Sequence, residues 1–406
     1  MFRLKTLEEL NVISSKIFEH CILPSLDNLP SSARQFGFKK GLSCLNAISN
    51  VRKTFHYFNS KGNTVSAAFV DIKKAFDKAN SWGILCLLQK YSINPNVINI
   101  SEHLYQISTA QIKWNNILSE PVSLLSGVRQ GGILSPLLFS AYVDIVLSAL
   151  EKSSLGCFIN KKCFNSFLYA DDLILLSISV ADLQMLLNSA IEIFESLDLQ
   201  INESKTVCLR IGCRFLSPCS ALRVNGIELS SVKEVKYLGV FIKSGKKFSC
   251  NWQSARSSYY KALNSILSVL GSNPSVQVAL ALTRASCVPI ITFGLAALPL
   301  SSTEQSQFAY VYNCVFAKLF NIKDVSTIEQ CQFFSNYWPF EVLYAYLRFN
   351  FLAQHFSKQS LCKSVSPDYS DYCELISIAS KYNFNLSDSK SCLKFKIWKY
   401  LELSLF

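Results

Sequence analysis

The sequence predicts an α+β domain followed by an all-α region, and three observations carry that prediction. Up to about residue 245, β-branched and apolar runs that read as buried strands alternate with amphipathic helical stretches. Beyond about residue 249, helical periodicity continues alone, rich in aromatic residues and poor in turn signals until Pro367. Half of the 406 residues are hydrophobic and only 17% are charged, so the chain can bury a large core and most of it should be folded, in two or three domains.

The elements follow in order. Leu7, Leu10, Ile13, Ile17 and Cys21 recur at helical spacing, with Pro24 and Pro30 closing the segment. A second amphipathic helix is expected over 42–58, after Gly41. Val65 to Ile72 is a β-branched and apolar run, read as a buried strand that stops at Lys73-Lys74; residues 82–90 are helical again. A helix is predicted over 135–150, because Pro136 suits a first turn and Leu138, Phe139, Tyr142 and Val146 share a face. Residues 164–177 are two apolar stretches broken by Tyr169-Ala170-Asp171-Asp172, the pattern of a β-hairpin. The next helix buries Leu183, Leu186, Leu187, Ala190, Ile191 and Phe194, and short strands return over 207–242 with Asn225-Gly226 as a turn signal.

Forty Lys and Arg against 28 Asp and Glu leave a formal charge of +12, which favours a polyanionic partner such as nucleic acid. The 15 cysteines are scattered, with Cys157–Cys163, Cys208–Cys213 and Cys213–Cys219 the closest spacings. Without a Cys-x-x-Cys pair, and with four histidines, no zinc finger is legible. An odd cysteine count without a secretory signal points to reduced thiols inside the cell, nucleus and cytoplasm not being distinguished. The longest apolar stretch, 275–300, contains Arg284, Pro289, Gly294 and Pro299, so buried helices rather than a membrane span are expected there.

Two places set bare aspartates in dense apolar sequence: Asp71 at the end of the 65–72 strand, and Asp171-Asp172 at the hairpin tip. Buried carboxylates are costly unless positive charge neutralises them, and neighbouring like charges raise the cost. Hard oxygen ligands suit Mg²⁺, which also takes substrate phosphates as ligands. If the two strands are neighbours, the acids converge, and two ions about 4 Å apart could serve an in-line phosphoryl transfer. Taken alone, Asp171-Asp172 also fits an ordinary turn, since Asp is a good turn residue.

In order along the chain, these segments resemble the motif series of reverse transcriptases, most closely those of non-LTR (LINE-type) retrotransposons. Gln35-Phe36-Gly37-Phe38-Lys39-Lys40-Gly41-Leu42-Ser43 resembles the fingers motif, and Phe69-Val70-Asp71-Ile72-Lys73-Lys74-Ala75-Phe76-Asp77 resembles motif A. Residues 126–136, Ser-Gly-Val-Arg-Gln-Gly-Gly-Ile-Leu-Ser-Pro, resemble motif B, and Tyr169-Ala170-Asp171-Asp172 is the YADD form of motif C. Residues 199–206 resemble motif D and Tyr237-Leu238-Gly239 the primer grip. Six motifs in family order are far more specific than YADD alone.

The resemblance implies an α+β right-hand polymerase with fingers, palm and thumb and a helical C-terminal region. Partial fingers would occupy 1–65 and the palm with remaining fingers elements 66–245, within a reverse transcriptase domain over roughly 16–245; a helical thumb would follow over 246–345 and a helical extension over 346–406. It implies an RNA-directed DNA polymerase that extends a primer 3′-OH with deoxynucleoside triphosphates on an RNA template, using two Mg²⁺ ions, with Mn²⁺ as a substitute. Asp71, Asp171 and Asp172 would hold the metals, with Lys205 as a further catalytic group near the leaving pyrophosphate. Ile72, Phe76, Gln130, Gly131 and Lys39 would line the nucleotide, Phe76 as a steric gate under the sugar, and Tyr237, Leu238 and Gly239 would grip the primer. No membrane and no protein partner is expected. The family's Arg-Pro-Ile-Ser segment is not found before Lys16, nor an endonuclease domain or a cysteine-rich motif. A truncated copy is therefore expected, and the alternative is an inactive nucleic-acid-binding remnant.

Overall fold

The computed structural model describes residues 16–29, 31–115, 117–124, 126–129, 131–271, 274–357 and 369–405. Within them the chain divides into two compact units: Met1–Ala47, Thr54–Val235 and Ser244–Lys247 form the first, and Ile48–Lys53, Lys236–Lys243 and Phe248–Phe406 the second. The helix over 16–22 runs into a 3₁₀ turn, Leu23–Leu26, so Pro24 opens a turn rather than ending the segment. Helix α1, Cys44–Ser60, begins where the Ser43 N–H and hydroxyl both donate to Asn46 Oδ1.

The first unit is built on an antiparallel sheet. Strand β1 (Val65–Val70) lies between β3 (Asp172–Ser177) and β4 (Val207–Ile211); β2 (Ser166–Tyr169) pairs outside β3, and β5 (Ser230–Ser231) runs parallel outside β4. Every residue of β1 is buried, which is why its sequence reads as a continuous apolar run rather than an alternating one. Its register sets Ser66 opposite Ser177 and Val70 opposite Leu173 on one side, and Val65 opposite Ile211 on the other. Two helices cover the sheet: α5 (Leu134–Lys152) and α6 (Val180–Ser196), the latter opened by Ser179 accepting from the Asp182 amide. Between β1 and α5 come α2 (Ala75–Lys78), α3 (Ser81–Lys90) and α4 (Pro95–Gln106). Two short hairpins follow at 109–123, where Ile112, Trp114, Ile117 and Val122 are exposed.

Among the described residues, α5 is the one helix long and apolar enough to cross a membrane, and 67% of that stretch is buried inside the fold. The 275–300 stretch is instead two helices, Val276–Ser286 and Val288–Thr292, followed by turns.

The second unit contains a small sheet of β6 (Glu234–Tyr237, whose last two residues belong to the unit), β7 (Val240–Lys243) and β8 (Ser249–Asn251). Helices follow from α7 (Gln253–Leu270) to the last, Lys390–Leu405. Its core is aromatic: Phe308 stacks on Phe340, and Tyr312 packs against Tyr337. Asp371, 2% exposed, receives both oxygens' contacts from Arg52 at 2.9 and 2.8 Å, with Lys53 at 3.2 Å and Arg348 at 3.4 Å; Arg348 also pairs with Glu374. Burial would raise the Asp371 carboxyl, but Arg52, Lys53 and Arg348 together hold it below the ordinary carboxylate range.

Candidate active site

Asp71 follows the last residue of β1, one step beyond the pair Val70 and Leu173, and so lies across from Asp172, the first residue of β3. Directly opposed residues on antiparallel strands have Cβ atoms about 5 Å apart. The Asp71 amide donates to Thr206 Oγ1 at 3.2 Å, and its carbonyl accepts from the Asn202 amide at 2.7 Å. Ile72 is buried and bridges to Ile201, and the Lys73 amide donates to the Gln200 carbonyl. The 199–206 segment thus extends the sheet and pins the chain on which Asp71 sits. Lys205 is exposed in the turn of that segment.

Asp171 and Asp172 stand at a two-residue hairpin turn. Ala170, its first central residue, has φ +57°, a conformation that normally calls for glycine. Burial, opposed by a hydrogen bond from its own amide and reinforced by Asp71, pushes the Asp171 carboxyl above its usual value. Asp172 is solvent-exposed as a residue, yet protein crowded around its carboxyl, with Asp171 and Asp71 adding negative charge, pushes it up to about 6. The three acids therefore feel one another. Among the described residues, however, no three His, Cys, Asp or Glu side chains are gathered closely enough to hold a metal ion by themselves. Such an open set of carboxylates fits Mg²⁺, which retains waters and takes phosphate oxygens to complete its shell.

The turn is held from outside by the segment 34–37, a contact that sequence reasoning did not anticipate. Leu168 donates to the Arg34 carbonyl, and Phe36 donates back to the Leu168 carbonyl, so this segment runs beside β2 as a short parallel partner. Gln35 Oε1 accepts from the amides of Gly37 (3.0 Å) and Ala170 (3.3 Å). A Cβ on Gly37 would lie 2.5 Å from the Ala170 nitrogen, so only glycine permits this approach. The buried Arg34 guanidinium anchors the segment, donating to Asn165, Ser166 and the Leu147 carbonyl and pairing with Glu151. The signal was present in the sequence as the glycine within Gln35-Phe36-Gly37-Phe38.

Phe76 is half-buried. Its ring stacks on Phe139 at 4.3 Å and meets Phe38 edge-on at 6.4 Å. Its carbonyl accepts from the Val128 amide, and a Cβ on Gly127 would strike the 76–77 backbone, so the 126–128 segment lies directly on the turn after Asp71. Gly131 is exposed with φ +82° and open space where a side chain would stand, whereas Gln130 falls outside the described residues. The next turn starts α5, whose first amides, Ile133 and Leu134, donate to the buried Glu19 carboxylate.

Lys39, expected to line the nucleotide, makes a hydrogen bond to its own segment. Its ammonium donates to the Ser32 carbonyl, and burial lowers its pKa against the opposing pull of buried Asp144. With Phe38, Lys40 and Pro136 it lines a cleft of about 750 Å³. In the second unit, Tyr237 is buried, only 3% exposed, so its ring is core rather than a contact surface. Leu238 and Gly239, both with positive φ, make the tight turn between β6 and β7.

An antiparallel sheet with acids from two adjacent strands, flanked by glycine-bearing loops, defines a polymerase-type palm. Residues 9–242, more than half of the chain, match the family described as reverse transcriptase (RNA-dependent DNA polymerase). The chain belongs to the reverse transcriptase family, and its relatives place it among the non-LTR type. It is 26% identical over 226 residues to the Pol polyprotein of the type-2 retrotransposable element R2DM of Drosophila melanogaster, covering 54% of this chain and 21% of that protein. It is 28% identical over 209 residues to the transposon TX1 149 kDa protein of Xenopus laevis, covering 50% of this chain and 16% of that one. The chain thus spans about a fifth of the length of these relatives. The fold class is the expected one, an α+β right-hand polymerase with a helical C-terminal region. Telomerase of Candida tropicalis in complex with the TWJ fragment of telomeric RNA is similar at TM-score 0.45 and 12% identity, covering 94% of this chain and 59% of that one, a likeness too loose to add to the family match.

Proposed function

We propose that this chain is an RNA-directed DNA polymerase that extends a primer 3′-OH with deoxynucleoside triphosphates on an RNA template. The observation that carries this reading is the register bringing Asp71 beside the Asp171-Asp172 turn, where burial and the neighbouring carboxylates raise the Asp171 and Asp172 carboxyls. Bound Mg²⁺, or Mn²⁺ in its place, would supply the positive charge that activates the primer hydroxyl and screens the leaving pyrophosphate. Asp71 and Asp171 would hold that charge in place, with Asp172 assisting. The exposed part of the Phe76 ring would close the space under the sugar and exclude a 2′-OH. The backbone at Ile72 and at Gly131, beside Gln130, would approach the nucleotide. Lys205, exposed next to the Asp71 strand, would neutralise or protonate pyrophosphate, and the Leu238-Gly239 turn would bear on the primer. Lys39 would contribute through the cleft it lines. The +12 charge supports salt-sensitive binding to the phosphate backbone.

A second reading, an inactive nucleic-acid-binding remnant, draws on two observations: the acids are not closed into a metal site, and Lys39 is tied to Ser32. Primer extension on an RNA template with Mg²⁺ separates the two. Asp171→Asn keeps the side-chain volume, so the protein should fold and bind template–primer normally. Extension should fall by at least ~100-fold, equivalent to about 2.7 kcal/mol of transition-state stabilisation. Equal activity in both proteins would sink the metal assignment. No synthesis from either, with salt-sensitive binding retained, would establish the remnant.

A further inference from the structure

We propose that Gln35 is a positioning residue for the acidic site, fixing the turn that carries Asp171 through the Ala170 amide; this rests on the polymerase reading above. Ala170 sits at φ +57°. A non-glycine residue keeps such a conformation only when its surroundings over-determine it. Within the hairpin, Tyr169 pairs with Asp172. The constraint from outside is the Gln35 side chain, which is wholly buried and whose Oε1 accepts from both the Ala170 and the Gly37 amides.

The rest of the side chain has no competing use. Gln35 Nε2 is buried without a hydrogen-bond partner among the described residues, so the amide group is held by its oxygen alone. A glutamine in the core with one idle end is costly for stability. Its oxygen acts on two backbone donors, Gly37 within its own segment and Ala170, the residue immediately before Asp171. The backbone on either side of Gln35 is fixed independently: the Phe36 amide donates to the Leu168 carbonyl, the Leu168 amide donates to the Arg34 carbonyl, the Arg34 side chain is anchored at β2 and α5, and Gly37 lies against Ala170. Gln35 is therefore a rigid arm. Losing its oxygen frees the Ala170 peptide to rotate, and with it the direction in which the Asp171 carboxylate leaves the chain. Groups that orient metal ligands from behind are worth roughly 10–100-fold in metal affinity.

The test uses the full chain and four proteins: wild type, Gln35→Met, Gln35→Glu and Asp171→Asn. Methionine keeps the length and unbranched shape of glutamine but accepts no hydrogen bond, whereas glutamate keeps the accepting oxygen. Amide hydrogen exchange is read at Ala170, and Mn²⁺ affinity by electron paramagnetic resonance without nucleotide or nucleic acid. In Gln35→Met, exchange at Ala170 should accelerate about tenfold or more while the β1 amides stay protected, and Mn²⁺ should bind about tenfold more weakly. Gln35→Glu should keep both properties of the wild type. Unchanged Ala170 exchange in Gln35→Met overturns the proposal, as does faster exchange with unchanged Mn²⁺ affinity. Loss of protection throughout the sheet in Gln35→Met, or failure of Gln35→Glu to restore Ala170 protection, would make Gln35 a core residue and also overturn it. Mn²⁺ binding indifferent to Asp171→Asn would overturn the metal reading and the purpose assigned to Gln35, and the Asp171→Asn control identifies that failure separately.

Discussion

Phe76→Ala is the substitution whose two effects, on stability and on substrate choice, can be weighed against each other. The ring is neither free nor fully enclosed: one face stacks on Phe139 at 4.3 Å and 24°, and its edge meets Phe38. Truncating a fully buried Phe costs about 3–5 kcal/mol, so a half-buried ring should cost about 2, of which about 0.5–1.5 is the aromatic pairing itself. The unburied part is available to a sugar. If it blocks a ribose 2′-OH, the ratio of kcat/KM for deoxy- over ribonucleotides should fall at least ~10-fold, or about 1.4 kcal/mol. Single-nucleotide extension with matched dNTP and rNTP measures the ratio, and urea unfolding measures the stability. A variant that loses about 3–5 kcal/mol and keeps its ribose discrimination would show that Phe76 is packing alone.

Two further outcomes follow from charge. Asp371→Asn leaves Arg52 and Lys53 facing a neutral amide in the buried cluster, which should destabilise the second unit by about 3–5 kcal/mol. Because the folded Asp371 carboxyl titrates below its ordinary value, its contribution is full above about pH 4 and disappears as pH falls through the lower folded value. Urea midpoints taken down the pH scale should show that acid-side loss in the wild type and lack this component in Asp371→Asn; identical profiles would refute it. Asp172 has the opposite sign: its carboxyl is raised to about 6, so its ionised form weakens the metal-free fold above that pH and the penalty vanishes toward pH 4. Mg²⁺ at 10 mM should therefore stabilise the chain at pH 8, by about 1.4 kcal/mol for a Kd of about 1 mM, and less at pH 5; equal effects at both would count against these ligands.

The elements that sequence made legible are those with uninterrupted burial or clear punctuation. The β1 run, the Pro136-led helix, the hairpin around Asp171 and the Asn225-Gly226 turn each carried a local signal, and each stands within a few residues of its expected limits. The helix at Pro95–Gln106 was missed although Asn94 caps it and Pro95 starts it, because its apolar stripe is short. The hairpins at 109–123 were missed for a different reason. Their strands are two residues long and their apolar side chains face outward, so no alternation marks them. At the site, the acids were legible because charge in apolar sequence is conspicuous. Burial of Tyr237 and the tethering of Lys39 depend on tertiary partners that no spacing encodes.

The segment 34–37 shows how distant parts of the chain come to serve one turn. Asp71 is fixed by an interior strand, hydrogen-bonded on both sides, and needs no further support. The hairpin is different, because β2 is the outermost strand of the sheet and the turn between β2 and β3 projects from its end. An edge hairpin bearing two like charges, with a non-glycine residue at positive φ, would be expected to fray and let its carboxylates diverge. The short parallel partner supplied by 34–36 covers that edge, the glycine at 37 lets the backbone close on the turn, and Gln35 satisfies the donor exposed there. Asp71 gains its precision from the middle of the sheet, and Asp171 borrows its own from a loop 135 residues upstream of Ala170. The Gln-Phe-Gly-Phe motif and the Tyr-Ala-Asp-Asp motif are thus two halves of one construction, and changes in either should be felt first as a change in where the Asp171 carboxylate points.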